Sequence, residues 1–337
     1  FYIDDTGRQT ALVAYGYSKL GCPQPKGKPD HFVGAIYAIT NCVLEIRRLK
    51  KLIELEESSP ERDEARLQKL KASLDDWIGV AQELSQRYPE IFSKLSEAVA
   101  GDEDPEEEVN KLIRGYEAGE EWAKKLVRQV VEICLEGFRE TLSKAGIFFD
   151  SWDWESELVW SGRVSRVVDE LRRTGFVKSV NGALELDAEA AVEELGLRQL
   201  LGLGESEIPP LTLVRSDGTT LYTTRDIAYS LLKFEQADRV ISVIGIEQTL
   251  AQQHLRIALC LLGKREEALK YVHFSYELVK MKGVKMSGRR GRYVTFDEVM
   301  EEAVKRAYEE VSARSPQLPE EERRKIAEKV GIGAVKY

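Results

Sequence analysis

At 337 residues the chain has ample material for a core, and 43% hydrophobic with 32% charged residues is the composition of an ordinary globular protein. Its 58 acidic and 49 basic side chains give a formal net charge of −9, which leaves a nucleic-acid partner open because such binding depends on local patches. No run of about 18 apolar residues suits a membrane-spanning helix, and no charged-then-apolar leader opens the sequence. Cys22, Cys42, Cys134 and Cys260 form no C-x-x-C pair. Neither a zinc site nor a disulfide framework is therefore expected, and a reducing cytoplasm fits.

The first residue is Phe, the first methionine is Met281, and "FYID" already reads as a strand in progress. "KIAEKVGIGAVKY" stops inside a helix-like pattern, so an internal piece of a longer product is expected. "FYIDDTGRQTALVAYGYSKLG" reads as strand, turn and helix, with Thr6 and Gln9 at capping-box spacing and Gly21 as the helix stop. After a loop rich in Pro, Gly and Lys, apolar residues recur at Ile36, Ile39, Val43, Ile46 and Leu49. Residues 36–144 are expected to be helical almost throughout, punctuated by Pro60, Pro89 and "GDEDPEEE". Within them 41–57 and 62–87 form an antiparallel hairpin across "ESSP", and most of the charge is a solvated face.

From Gly146 the texture changes. "GIFFDSWDWESEL" is aromatic and acidic, and its tryptophans Trp152, Trp154 and Trp160 are expected to pack rather than act. "GFVKSVNGALEL" is a hairpin signal, because Asn181-Gly182 can take the two positive φ values of a tight turn. Asp217-Gly218 in "LTLVRSDGTTLYTT" repeats that logic. A helix over about 224–235, the strand "RVISVIG", a helix over about 249–262 stopped by Gly263, and the strand "YVHFSYELV" follow. Beyond them come a basic loop and a helix from Phe296. This alternation predicts an α/β fold with a doubly wound parallel sheet, where ligands bind at the carboxyl ends of strands. No G-x-G-x-x-G follows a strand, which weighs against a dinucleotide oxidoreductase.

Three stretches converge on those strand ends. "VKMKGVKMSGRRGRYVTF" carries six cations among three glycines and no acid. Such cations suit charge on a transferring phosphoryl group, with Ser287 adding a hydroxyl; a solvated or RNA-contacting loop is the alternative. In "DGTTLYTTRDIAYSL", Thr223 or Thr224 can cap the helix and place Asp226 in its first turn. Asp226 then either stabilises the helix start or, beside Tyr222, binds a guanidinium or ammonium group. In "GIEQTLAQQH", Gly245 lets a ligand approach the backbone and Gln248 offers hydrogen bonds, while His254 is more often structural at such a place. His31 and His273 complete no H-x-x-H pattern, so no metal site is expected.

Taken in order, "YIDDTGRQTALVAYG", "KPDHFVGAIYAITN", "GIFFDSWDWESELV", "DGTTLYTTRDIAYSL", "VIGIEQ" and "LVKMKGVKMSGRRGRYVTFDEVMEEAV" resemble the arginyl-tRNA synthetase family of class I. The resemblance implies a Rossmann-type catalytic domain with a mainly helical insertion and the start of a C-terminal helical region. The expected divisions are 1–40 (first Rossmann part), 41–145 (insertion), 146–205 (connective segment with the hairpin), 206–295 (second Rossmann part) and 296–337 (helical stem). "KMSGR" is similar to the family's KMSK signature. It implies catalytic roles for Lys285, Ser287 and Arg289, and ATP contacts from Gly245, His254, Lys285, Met286 and Ser287. Tyr222, Asp226 and Gln248 match residues that hold the arginine side chain. The substrates implied are L-arginine, ATP with Mg2+, and tRNA(Arg), with no tightly bound metal, no membrane and a monomeric full-length protein. The family's HIGH motif precedes the strand on which this sequence opens, so these residues alone are expected to be inactive. A truncated, non-catalytic paralogue that binds tRNA or arginine is the alternative.

Overall fold

The computed structural model describes residues 1–277, 287–291 and 294–337, except the Arg289 side chain. In chain order the first elements are β1 (Tyr2–Ile3), α1 (Arg8–Lys19), α2 (Pro29–Ser58), α3 (Glu64–Arg87) and α4 (Pro89–Ala100). Next are α5 (Pro105–Glu117), α6 (Glu121–Lys144), β2 (Asp153–Trp154), α7 (Glu155–Trp160) and α8 (Arg163–Arg172). The hairpin strands β3 (Val177–Val180) and β4 (Ala183–Leu186) lead to α9 (Ala188–Glu194), α10 (Leu197–Leu201) and β5 (Leu211–Val214). Then come α11 (Tyr222–Phe234), β6 (Val240–Gly245), α12 (Thr249–Leu261), α13 (Arg265–Lys270) and β7 (Tyr271–Tyr276). Two helices close the chain, α14 (Phe296–Arg314) and α15 (Glu320–Lys336). None of the described helices is long and apolar enough to cross a membrane.

The chain divides into two compact units. Phe1–Asp4 with Trp152–Lys280 form an α/β unit, and Asp5–Ser151 with Met281–Tyr337 form a helical one. In the helical unit α2 is the central element, packed against α1, α3, α4 and α6. Pro29 opens it where a missing N–H costs nothing, and Phe32, Ile36 and Ile39 bury one face. The hairpin of α2 and α3 is present, with α3 started by the Asp63 side chain accepting from the Ala65 and Arg66 amides. Helix α2 runs unbroken through the division expected at 40/41. Helix α1 is not capped by Thr6: the cap position belongs to Gly7 at φ 83°, and no side chain bonds there. A left-handed residue at the cap turns the chain so that the Thr6–Gln9 spacing is not used.

The α/β unit is of Rossmann type, with its parallel pairing in two short ladders, β1·β2 and β6·β7. Between them in sequence lies the antiparallel order β3–β4–β5. Asn181 (φ 48°) and Gly182 (φ 83°) make the tight turn that their residue types require. The second hairpin signal is realised only as a turn: Gly218 alone is left-handed, and a single bridge joins Val214 to Thr220. Leu186, Leu213, Ile227, Leu255 and Leu259 build the core on one side of these strands. On the other face of β6 and β7, Ile241, Val243 and Phe274 stand about three-fifths exposed.

Candidate functional site

A polar cluster is buried in the α/β unit around helix α11. Leu221 is extended, so the helix opens at Tyr222, and Thr224 turns its hydroxyl inward to donate to the Leu213 carbonyl at 2.9 Å. Neither Thr223 nor Thr224 caps the helix, and Asp226 consequently lies in its second turn rather than its first. The helical period then places Tyr222, Asp226, Tyr229 and Lys233 along one stripe.

Around that stripe the partners come from β1, β2, α7, β6 and β7. Glu155 is 1% exposed and lies 2.9 Å from Arg225 Nε, and the Tyr2 hydroxyl donates to its other oxygen at 3.0 Å. Arg225 also donates to the Thr220 carbonyl at 2.7 Å. Tyr2 stacks on Tyr229 at 4.2 Å, and the Tyr229 hydroxyl donates to Asp153 at 2.7 Å. The Lys233 ammonium sits 4.5 Å from the Tyr229 ring centre and 5.6 Å from that of Tyr271, and donates to Ser242 Oγ at 3.2 Å. The Tyr271 hydroxyl donates to Gln252 Oε1 at 2.6 Å.

Asp226 differs from its neighbours. Among the described residues no hydrogen bond or ion pair reaches its carboxylate, although it is partly buried. Burial, and then the charge of Glu155, push its pKa up to about 7 against the opposing pull of Lys233 and Arg225. Burial pushes Lys233 down to about 8, resisted by Asp226 and Asp153. Burial, and then Glu155, hold the Tyr2 hydroxyl well above the ordinary phenol range, so it remains a donor. With Glu155 matched by Arg225, the cluster is arranged to accept one more cation at Asp226.

The other expected residues are distributed unevenly. Tyr222 is 46% exposed one turn before Asp226. Gly245 ends β6, and an added Cβ there would meet the Glu247 carboxylate. Gln248 ends the short turn that follows, half-buried, and no hydrogen bond joins it to Asp226 or Tyr222 among the described residues. His254 is packed in the core. It is 4% exposed, its Nε2–H donates to the Pro209 carbonyl at 2.8 Å, and burial lowers its pKa. It satisfies that carbonyl within the core, the structural role open to a histidine at this place. Ser287 is half-buried beside the turn Gly288–Arg290, whose backbone includes Arg289. Lys285 and Met286 lie outside the described residues.

Glu155, Arg225 and Lys233 were not singled out from the sequence. Lys233 had a usable signal, since it falls seven residues after Asp226 on the same helical stripe. The pairing of Glu155 with Arg225 spans 70 positions and leaves no local pattern. In the helical unit Asp30, His31 and Asp297 converge, but the Lys28 ammonium lies 2.7 Å from Asp30 and 2.8 Å from Asp297 and supplies the cation.

A sequence model described as class I tRNA synthetases (R), catalytic domain, matches residues 67–337. Over its whole length the chain is 43% identical to an arginine–tRNA ligase of Aeropyrum pernix, covering 52% of that protein. It is equally similar, at 43%, to one of Pyrobaculum islandicum, covering 53%. The chain spans about half the length of the curated relatives it matches. Among solved structures, Thermus thermophilus arginyl-tRNA synthetase superposes with a TM-score of 0.60 over 99% of this chain and 50% of its own, at 24% identity, a likeness of fold.

Proposed function

The chain belongs to the class I (R) tRNA synthetase catalytic-domain family, and from that premise we propose that it is the catalytic core of an arginine–tRNA ligase. The observation that carries the proposal is the unpartnered Asp226 carboxylate on a stripe with Tyr222, in a cluster where the neighbouring Glu155 is already paired with Arg225. A guanidinium is the cation that such a carboxylate holds best, through two parallel hydrogen bonds. Tyr222 flanks the bound side chain, Gln248 supplies a further polar contact, and Glu155 with Arg225 keeps the wall behind Asp226 rigid.

In the proposed reaction the arginine carboxylate attacks the α-phosphorus of ATP, the bond to the β-phosphate breaks, and pyrophosphate leaves. A ribose hydroxyl at the end of tRNA(Arg) then attacks the adenylate carbonyl and AMP leaves. Lys285 and Arg289, with Ser287 and Met286, handle the triphosphate as charge builds on it, and Gly245 lets the nucleotide approach the backbone. Mg2+ enters with ATP as part of the substrate, and the cytoplasm is where such a product is used.

The test is ATP–pyrophosphate exchange by the full-length protein with each amino acid in turn, with and without tRNA. Arginine-specific, tRNA-dependent exchange that Asp226→Ala removes is the expected result. Preference for another amino acid, or full activity in Asp226→Ala, would defeat the assignment.

A further inference from the structure

The tail of the basic loop is seated on the α2–α3 hairpin. The Arg290 guanidinium places Nη2 2.6 Å from Asp76 Oδ2 and its carbon 5.2 Å from the ring centre of Trp77. Trp77 is 9% exposed, so the face it offers Arg290 is fixed by packing. One residue on, Gly291 is left-handed at φ 64°, and an added Cβ would stand 3.0 Å from Leu84 and 3.2 Å from Ala38. The backbone at 291 therefore lies close against Leu84 of α3 and Ala38 of α2, and its positive φ favours glycine there. The Arg290 amide donates to the Ser287 carbonyl and the Gly291 amide to that of Gly288, both at 3.1 Å, which closes 287–291 into one rigid turn.

An ion pair with one side chain 28% and the other 46% exposed adds little to stability. What the planar guanidinium contributes, held by a carboxylate and an indole face together, is geometry. Arg289 precedes Arg290 in the same turn and Ser287 opens it, so fixing Arg290 fixes the backbone from which both side chains spring. We propose that Arg290 is a positioning residue: through Asp76 and Trp77 the helical hairpin holds the loop tail in place and thereby aligns Ser287 and Arg289 with the triphosphate. This rests on the phosphate-handling role given to the loop above. The seat made by Asp76 and Trp77 then contributes to adenylation, and substitutions at that seat reach ATP without touching arginine.

The experiment is steady-state pyrophosphate exchange by the full-length protein, with KM measured separately for ATP and arginine. Arg290→Ala raises the KM for ATP or lowers kcat roughly tenfold, the scale on which small misplacements act, and leaves the KM for arginine unchanged. Asp76→Asn does the same more weakly, and Asp76→Arg combined with Arg290→Asp recovers most of the loss. Arg66→Ala, elsewhere on α3, has no effect. Wild-type kinetics in Arg290→Ala would overturn the proposal alone. Equal damage to both substrates, without rescue by the swap, would mark Arg290 as merely structural and overturn it too. A wild-type protein with no arginine-dependent exchange would fail the functional assignment itself, and the positioning role would fall with it.

Discussion

Asp226 and Asp297 are both acids near the start of a helix and both are withdrawn from solvent, yet they titrate in opposite directions. Asp297 opposes its own burial with hydrogen bonds from Lys28 at 2.8 Å and Thr141 at 2.9 Å, and its pKa ends below the ordinary carboxylate range. Lys28 gains from the same bonds, which hold it above the usual ammonium value despite its burial. Asp226 has no such partner and rises to about 7. Asp297 ties α14 to α2 and α6, whereas Asp226 keeps no bonded partner among the described residues, which is what the proposed arginine site requires.

The largest effect should come from breaking the satisfied side of this comparison. Lys28→Met leaves Asp30 and Asp297 without their shared ammonium and should cost about 3–5 kcal/mol of stability, read by chemical denaturation. Asp226→Asn acts oppositely on the unpartnered side. Arginine binding, measured calorimetrically on the full-length protein, should weaken by about 2–4 kcal/mol, while the unliganded fold is as stable or more so.

The pH dependence sharpens the contrast. The Asp226 pKa is higher folded than unfolded, so its contribution is fully present below the ordinary aspartate value of 3.8 and is lost as pH rises through about 7. Relative to Asp226→Asn, the wild type should therefore lose on the order of 4 kcal/mol between pH 4 and pH 8. Asp297, with its lowered value, contributes above the ordinary carboxylate pKa and loses that contribution as pH falls through its folded value. Arginine affinity, which needs ionised Asp226, should fall about tenfold per pH unit below 7. The smallest effect is expected at His254. His254→Leu gives up the bond to Pro209 and should cost about 1–2 kcal/mol, with the KM for ATP unmoved.

What the sequence disclosed follows from the range of each interaction. Asn181-Gly182 specified its turn because both φ values are demanded by adjacent residues. The α2–α3 hairpin was visible because its apolar periods and the intervening proline are local. The caps were less legible: Thr6 and Thr224 had the right type and spacing, but a left-handed Gly7 and an inward bond to Leu213 decided the outcome. At the candidate site, the four-residue spacing of Tyr222 and Asp226 already implied the shared helical stripe. Glu155 was not legible, because its partners Tyr2 and Arg225 lie 153 and 70 positions away.

The outer face of β6 and β7, with Ile241, Val243 and Phe274 in water, has a consequence for handling rather than for chemistry. Each molecule of this chain carries an oil-like strip there, and like net charges of −9 oppose the approach of two such strips. That repulsion reaches only about 10 Å at 0.1 M ionic strength and about 3 Å at 1 M. Sulfate would both shorten its range and raise the tension at the strip. Solutions of this chain should turn cloudy by salting out while every molecule in them is still folded.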